Sequence, residues 1–126
     1  MTHLKQAFLI SGALWALLGV VSGAFGAHAL HDTLLVHNSI AIWKTAVSYQ
    51  MWHALALLIC GTLSIRGALH LPVILLFNLG SLLFSGSLYW LALDGPSWLG
   101  PITPLGGTCL LAAWVLFIWA QLRDAG

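Results

Sequence analysis

Histidine, cysteine and aspartate are the residue types here with the strongest chemistry; there are six, two and three of them, and glutamate is absent. His53 stands out. It sits inside the uncharged run from Thr45 to Ile65, whose other strongly polar members are Tyr49 and Gln50. An ionisable side chain inside a bilayer is costly, which makes it a functional candidate by default. Tyr49 and Gln50, one turn back, are placed to hold one ring nitrogen and fix the tautomer. The competing reading is a neutral imidazole that hydrogen-bonds Ser85 or Tyr89 on the next helix and locks the two together.

His28, His31, Asp32 and His37 fall within ten residues, with His28, His31 and Asp32 on one helical face, a spacing that suits a metal. Three histidines and an aspartate also describe a wet membrane interface, and no second carboxylate completes a two-metal set. A haem held between His28 and His53 is a further option, as is quinone or lipid binding. No Ser/His/Asp set, glycine-rich phosphate loop or buried carboxylate relay can be placed. The expectation is a protein that is not an enzyme, with no metal or cofactor assigned.

The elements that must position these groups follow from composition. Of 126 residues, 60% are apolar and 6% charged, and the mean hydropathy is +0.98. A soluble domain has about 25% charged residues; this chain cannot coat a water-facing surface. The same composition excludes intrinsic disorder, and a formal net charge of +1 offers no field for nucleic acid. A spanning helix needs about 20 apolar residues, so four spans and short turns use up the chain. The predicted fold is all-α: an integral membrane antiparallel four-helix bundle, one transmembrane domain over 1–126, with spans at about 6–27, 45–65, 69–93 and 104–122. Lys5, the apolar run and Ala27-His28-Ala29 also imitate a cleaved signal peptide, but the run exceeds the usual ~7–15-residue apolar region, so retention as a span is expected. The segment from His28 to Trp43 is too polar to span and reads as an interfacial helix. Thr103 is a plausible N-cap for the fourth span, with Pro104 at its first position.

Lys5, Arg66 and Arg123 gather at one side and Lys44 at the other, which places both termini in the cytoplasm. Trp43, Tyr89, Trp90 and Trp98 then fall at an outer aromatic belt. Gly12, Ala16, Gly19, Gly23 and Ala27 form a smooth stripe for close helix packing. Asn78, Ser81, Ser85 and Tyr89 share a face of the third span. At about 1.5 Å per residue, His53 and Ser85 both lie about 12 Å below the outer side. The outer half thus gathers a candidate polar pocket of His28, Tyr49, Gln50, His53, Ser85 and Ser87, with Thr103 and Thr108 nearby. Cys60 and Cys109 differ in depth by more than the ~7 Å a disulfide permits.

Four segments, Gly23-Ala-Phe-Gly-Ala-His-Ala-Leu30, Thr45-Ala-Val-Ser-Tyr-Gln-Met-Trp-His-Ala-Leu55, Leu83-Phe-Ser-Gly-Ser-Leu-Tyr89 and Gly100-Pro-Ile-Thr-Pro-Leu-Gly-Gly107, resemble the YgdD-like family of small bacterial inner-membrane proteins. The resemblance covers essentially the whole chain. It implies a four-span inner-membrane protein and no particular activity. It also favours the outer-half cluster over His31, His37 and His70, which lie outside the four segments. The expected role is structural or accessory, through contacts with the lipid bilayer, a homo-oligomer or a larger membrane complex, with no nucleic acid. The alternative is a binding or transport protein with a metal, haem, quinone or lipid headgroup around His28, Tyr49 and His53. A homo-oligomeric pore is a third option, though no continuous polar face runs the full bilayer depth.

Overall fold

The computed structural model describes residues 2–63 and 69–124, and all regular structure among them is helical. The helices are α1 (Thr2–Ala27), α2 (His31–Val36), α3 (Ile40–Thr62), α4 (His70–Ala92) and α5 (Ile102–Asp124), with a 3₁₀ turn at Ser97–Leu99 before α5. Long runs of Leu, Ala, Ile and Val with no interior proline favour helix. Pro72 and Pro104 each occupy the third position of α4 and α5, within the first turn, where backbone N–H groups have no intrahelical acceptor in any case.

Among the described residues three segments are long and apolar enough to cross a membrane, His3–Ala27, His70–Ala92 and Ser97–Arg123. The helix α3 has the same 23 residues as α4, but Tyr49, Gln50, Trp52 and His53 make it less apolar. It is nevertheless the central helix, with α1 on one flank and α4 on the other. The pairs that face each other fix the direction of every neighbour. Gly12 meets Ala54, Gly26 meets Trp43, and Gly61 meets Phe8, so α1 and α3 are antiparallel. Ser85 bonds to Ala46 while Phe77 packs on His53, so α3 and α4 are antiparallel. Gly80 meets Leu110 and Gly106 meets Phe84, so α4 and α5 are too. The packing order is α1, α3, α4, α5, with α1 and α5 on opposite flanks.

Backbones approach closely where side chains are absent. A Cβ at Gly12 would lie 2.9 Å from the Ala54 carbonyl oxygen, and one at Gly80 would lie 2.7 Å from Leu110 side-chain atoms. The main apolar core lies toward the chain ends and includes Phe8, Leu57, Val73, Phe77, Leu110 and Ala113. A smaller cluster of Leu34, Trp43 and Ala92 closes the other end.

Several boundaries differ from the sequence reading. The second long helix begins at Ile40, five residues before Thr45, because Lys44 and Trp43 continue it rather than precede it. The interfacial segment shrinks to 28–39, where α2 has only six residues, ends at Val36 and is followed by a turn through Asn38 with φ 51°, a conformation Asn tolerates. The expected end of the second span at 64–65, and the turn at Arg66, lie outside the described residues. Thr103 lies inside α5, with its hydroxyl hydrogen-bonded to Ser87 Oγ. Trp43 and Tyr89 do not belong to a lipid-facing belt. They pack edge to face with centroids 4.6 Å apart, and the Trp43 indole donates to the Ser22 carbonyl at 2.9 Å. Trp90 and Trp98 do form an exposed pair at that end.

Candidate functional site

The polar groups that α3 carries into the apolar interior take partners on different helices. Gln50 faces α1 and α4 and is 1% exposed. Its amide donates to the Trp15 carbonyl at 2.9 Å, and its carbonyl accepts from the Tyr89 hydroxyl at 2.6 Å. The Trp15 indole donates to Asn78 Oδ1 at 2.8 Å, and the Asn78 amide donates back to the Ile74 carbonyl and, at 3.4 Å, to Ser11 Oγ. A ladder from Ser11 through Asn78, Trp15 and Gln50 to Tyr89 therefore joins three helices. Such pairing is required where no water reaches the backbone and amide groups.

His53 faces the other way, toward α5. Nδ1 lies 2.7 Å from the Tyr49 carbonyl, and the Trp114 indole N–H lies 3.1 Å from Nε2. A carbonyl only accepts and an indole only donates, so the ring is neutral with its proton on Nδ1. Both nitrogens are engaged. The partner anticipated on α4, Ser85 or Tyr89, is displaced by Trp114 on α5. Ser85 instead donates to the Ala46 carbonyl at 2.8 Å. Ser87 lies 3.0 Å from the Phe84 carbonyl and 2.6 Å from Thr103 Oγ1; with one hydroxyl proton on Ser87, Thr103 is the donor between them. Ser81, also buried, has no hydrogen-bond partner for its hydroxyl among the described residues.

The six pocket candidates thus do not converge. Gln50, Ser85 and Ser87 are buried helix ties, His53 and Tyr49 border a groove between α3 and α5, and His28 is exposed at the end of α1. His53 points away from α1, so His28 and His53 do not face each other across a haem. Among the described residues no three His, Cys, Asp or Glu side chains come together, and in the loop only His31 and Asp32 pair, at 3.5 Å. Of the packing stripe, Gly12, Gly19 and Gly23 meet α3 while Ala16 is half-buried; Ala27 is exposed, and Gly26 takes its place against Trp43. Cys60 and Cys109 are free thiols.

Sequence reasoning missed Trp15 and Trp114. A tryptophan in an apolar run reads as packing, yet a buried indole N–H needs an acceptor, and that requirement was the signal available.

Two cavities among the described residues border these groups. One, about 640 Å³, lies between α3 and α5 and is lined by Tyr49, Trp52, His53, Phe84 and Trp114 among others. The second, about 400 Å³, lies between α1 and α3 beneath α2, with Gly23, Gly26, Trp43 and Val47 in its walls and Lys44 and His31 at its polar side.

Apolar helices of spanning length around a paired polar interior define a small helical membrane protein. Residues 22–107 match the family described as "Protein of unknown function (DUF423)", and the chain belongs to that family. It is similar to a "UPF0382 membrane protein" of Staphylococcus epidermidis, 43% identical over 123 residues that cover 96% of this chain and 99% of the relative. The "UPF0382 membrane protein YwdK" of Bacillus subtilis is 39% identical over 122 residues, covering 94% and 98%. No solved structure matches.

Proposed function

We propose that this is a non-enzymatic, four-span inner-membrane protein of the YgdD-like kind, one transmembrane domain with both termini in the cytoplasm, which acts through lipid and protein contacts. The observation that carries the reading is the pairing of its polar interior. Gln50 uses both its amide groups on neighbouring helices, and His53 uses one nitrogen on Trp114 of α5 and the other on the Tyr49 carbonyl of its own helix. Groups held this way serve as interhelical ties and offer no free proton acceptor or nucleophile. The small residues support the same view of a self-contained bundle, because Gly12, Gly26, Gly80 and Gly106 are all used against other helices of the chain. A homo-oligomer or larger assembly would then meet the Leu- and Trp-rich outer faces.

A fourth span at α3 is supported by its length and surroundings. Its polar side chains turn toward α1, α4 and α5, while Leu55 and Ile59 are exposed, as a lipid-facing surface requires. Reporter fusions test the count and direction together. A C-terminal fluorescent fusion is expected to be active, and fusions truncated after Ser39 or Asp94 to be active only with a periplasmic phosphatase. A C-terminus active only in the periplasm would overturn the cytoplasmic placement of the termini, and, if the Ser39 and Asp94 fusions were periplasmic as well, the four-span count. Crosslinking before gentle-detergent purification tests the contacts; a bare monomer with no retained protein or lipid would refute them.

A second reading has its own observation, the cavity of about 640 Å³ beside His53. Its size is within the range of ligand pockets, and its aromatic walls suit a quinone ring or a lipid tail. No thermal shift on adding quinones would remove it.

A further inference from the structure

The cleft between α1 and α3 combines features that the interior ladder and the His53 groove lack. It sits at the end of the bundle where α1 stops at Ala27 and α3 starts at Ile40, the level at which apolar helices give way to loop. Its floor is apolar, formed by Gly23, Gly26, Trp43 and Val47. The absence of a side chain on Gly23 leaves the space, since a Cβ there would meet only Val47, at 3.6 Å, whereas Gly26 is closed against the Trp43 indole. Lys44 is exposed on the first turns of α3, and among the described residues it has no ion-pair partner. A second, smaller cleft of about 310 Å³, lined by Leu35, Asn38, Ile40 and Ala41, shares Lys44 and so places the lysine between two hollows. Asp32 does not oppose it, because that carboxylate is fully exposed and 3.5 Å from His31.

We propose that this cleft is a binding site for an anionic phospholipid, with the Lys44 ammonium on the lipid phosphate and an acyl chain along the glycine-lined floor between α1 and α3. The occupant is fixed by charge and by place. An unpaired cation at the membrane interface attracts anionic headgroups, its methylene stem lies along apolar surface while the charge reaches the headgroup level, and the apolar floor at Trp43 and Val47 gives an acyl chain surface that a small soluble anion would leave unused. The inference rests on α1 and α3 both lying in the bilayer, as proposed above.

The test is native mass spectrometry of the full-length protein released from vesicles of equal phosphatidylglycerol and phosphatidylethanolamine with the same chains. Phosphatidylglycerol is expected to be retained preferentially, by about fivefold or more, the ratio that corresponds to one lysine near an anionic surface. Lys44→Gln should abolish the preference. Ser48→Leu, which keeps the lysine and fills the cleft from α3, should lower retention of either lipid, and Lys5→Gln at the opposite end should change nothing. Millimolar inorganic phosphate is expected not to compete; if it displaces the lipid, the site is one for phosphate alone. Equal retention of both lipids by the wild type, or an unchanged preference in Lys44→Gln with native circular dichroism, would overturn the proposal. The reporter fusions report separately on the spans, so a failed lipid preference with four spans intact condemns the site and leaves the topology standing.

Discussion

Adjacent glycines in α5 offer a sharp test of how the helices are held together. A Cβ on Gly106 would run into the Phe84 backbone nitrogen, with Leu83 carbonyl carbon at 2.8 Å and Leu83 Cβ at 2.9 Å. A Cβ on Gly107 would meet only the Phe84 ring, at 3.6 Å and 3.8 Å. In Gly106→Ala, α5 must therefore withdraw from α4 by about 0.7 Å or more to restore ordinary carbon contacts, and a gap of that size forfeits roughly a quarter to a half of each contact's attraction along the seam. Backbone cannot rotate aside as a side chain can, so the cost belongs at the upper end of the ~1–3 kcal/mol typical of overpacking. Replacing glycine by alanine returns about 1 kcal/mol of helix propensity at either position. The net expectation is a loss of about 1–2 kcal/mol for Gly106→Ala and a gain of up to about 1 kcal/mol for Gly107→Ala. The assay is reversible unfolding in mixed micelles with rising dodecyl sulfate, followed by circular dichroism and tryptophan emission. Equal midpoints for the two variants, or a more stable Gly106→Ala, would refute the close α4–α5 contact.

Gln50→Leu removes both hydrogen bonds that tie α3 to α1 and α4 and is expected to cost about 1–3 kcal/mol in the same titration, at roughly 0.6–1.7 kcal/mol per interhelical bond. Tyr89→Phe added to that variant should then cost little more, and full additivity would show that the two side chains do not interact. Ser81→Ala is expected to be neutral or stabilising by up to about 1 kcal/mol, since it removes a buried hydroxyl without a partner, whereas Ser85→Ala loses a bond to the Ala46 carbonyl and should cost about 0.5–1.5 kcal/mol. The reverse order would contradict the hydrogen-bond assignment.

The helices were legible because composition and charge placement decide them almost unaided. The apolar run after Lys5 and the run closed by Asp94 mark α1 and α4 to within a few residues. The start of α3 was misjudged because Lys44 reads as a boundary, while a lysine two turns or less from a helix end can extend toward the headgroups from within the helix. The glycine stripe was legible at Gly12, Gly19 and Gly23, where the four-residue rule is strong, and failed at Ala27 because the approach of Trp43 selects Gly26 instead. The importance of Gln50 and His53 could be read from cost alone: strongly polar groups in an apolar run must find partners. Their partners could not. Which helices flank α3 is a matter of tertiary order, and the order α1, α3, α4, α5 sends His53 to Trp114 and Gln50 to Trp15 and Tyr89. Depth arithmetic places groups at one level and leaves their direction around the helix undetermined, so six residues at similar depth appeared to be one pocket.

The same order has a consequence for biogenesis. Each long helix after the first packs against the long helix made just before it, so the bundle can be assembled in the sequence in which it leaves the ribosome. The helix least suited to enter lipid alone is α3, and it is the first to emerge with a partner already waiting. Trp15 of α1 offers the carbonyl that Gln50 needs, and Gly12 and Gly26 leave room for close docking. On the four-span reading, α1 and α3 enter the bilayer best as one hairpin, and loss of α1 would leave α3 without the acceptor for Gln50.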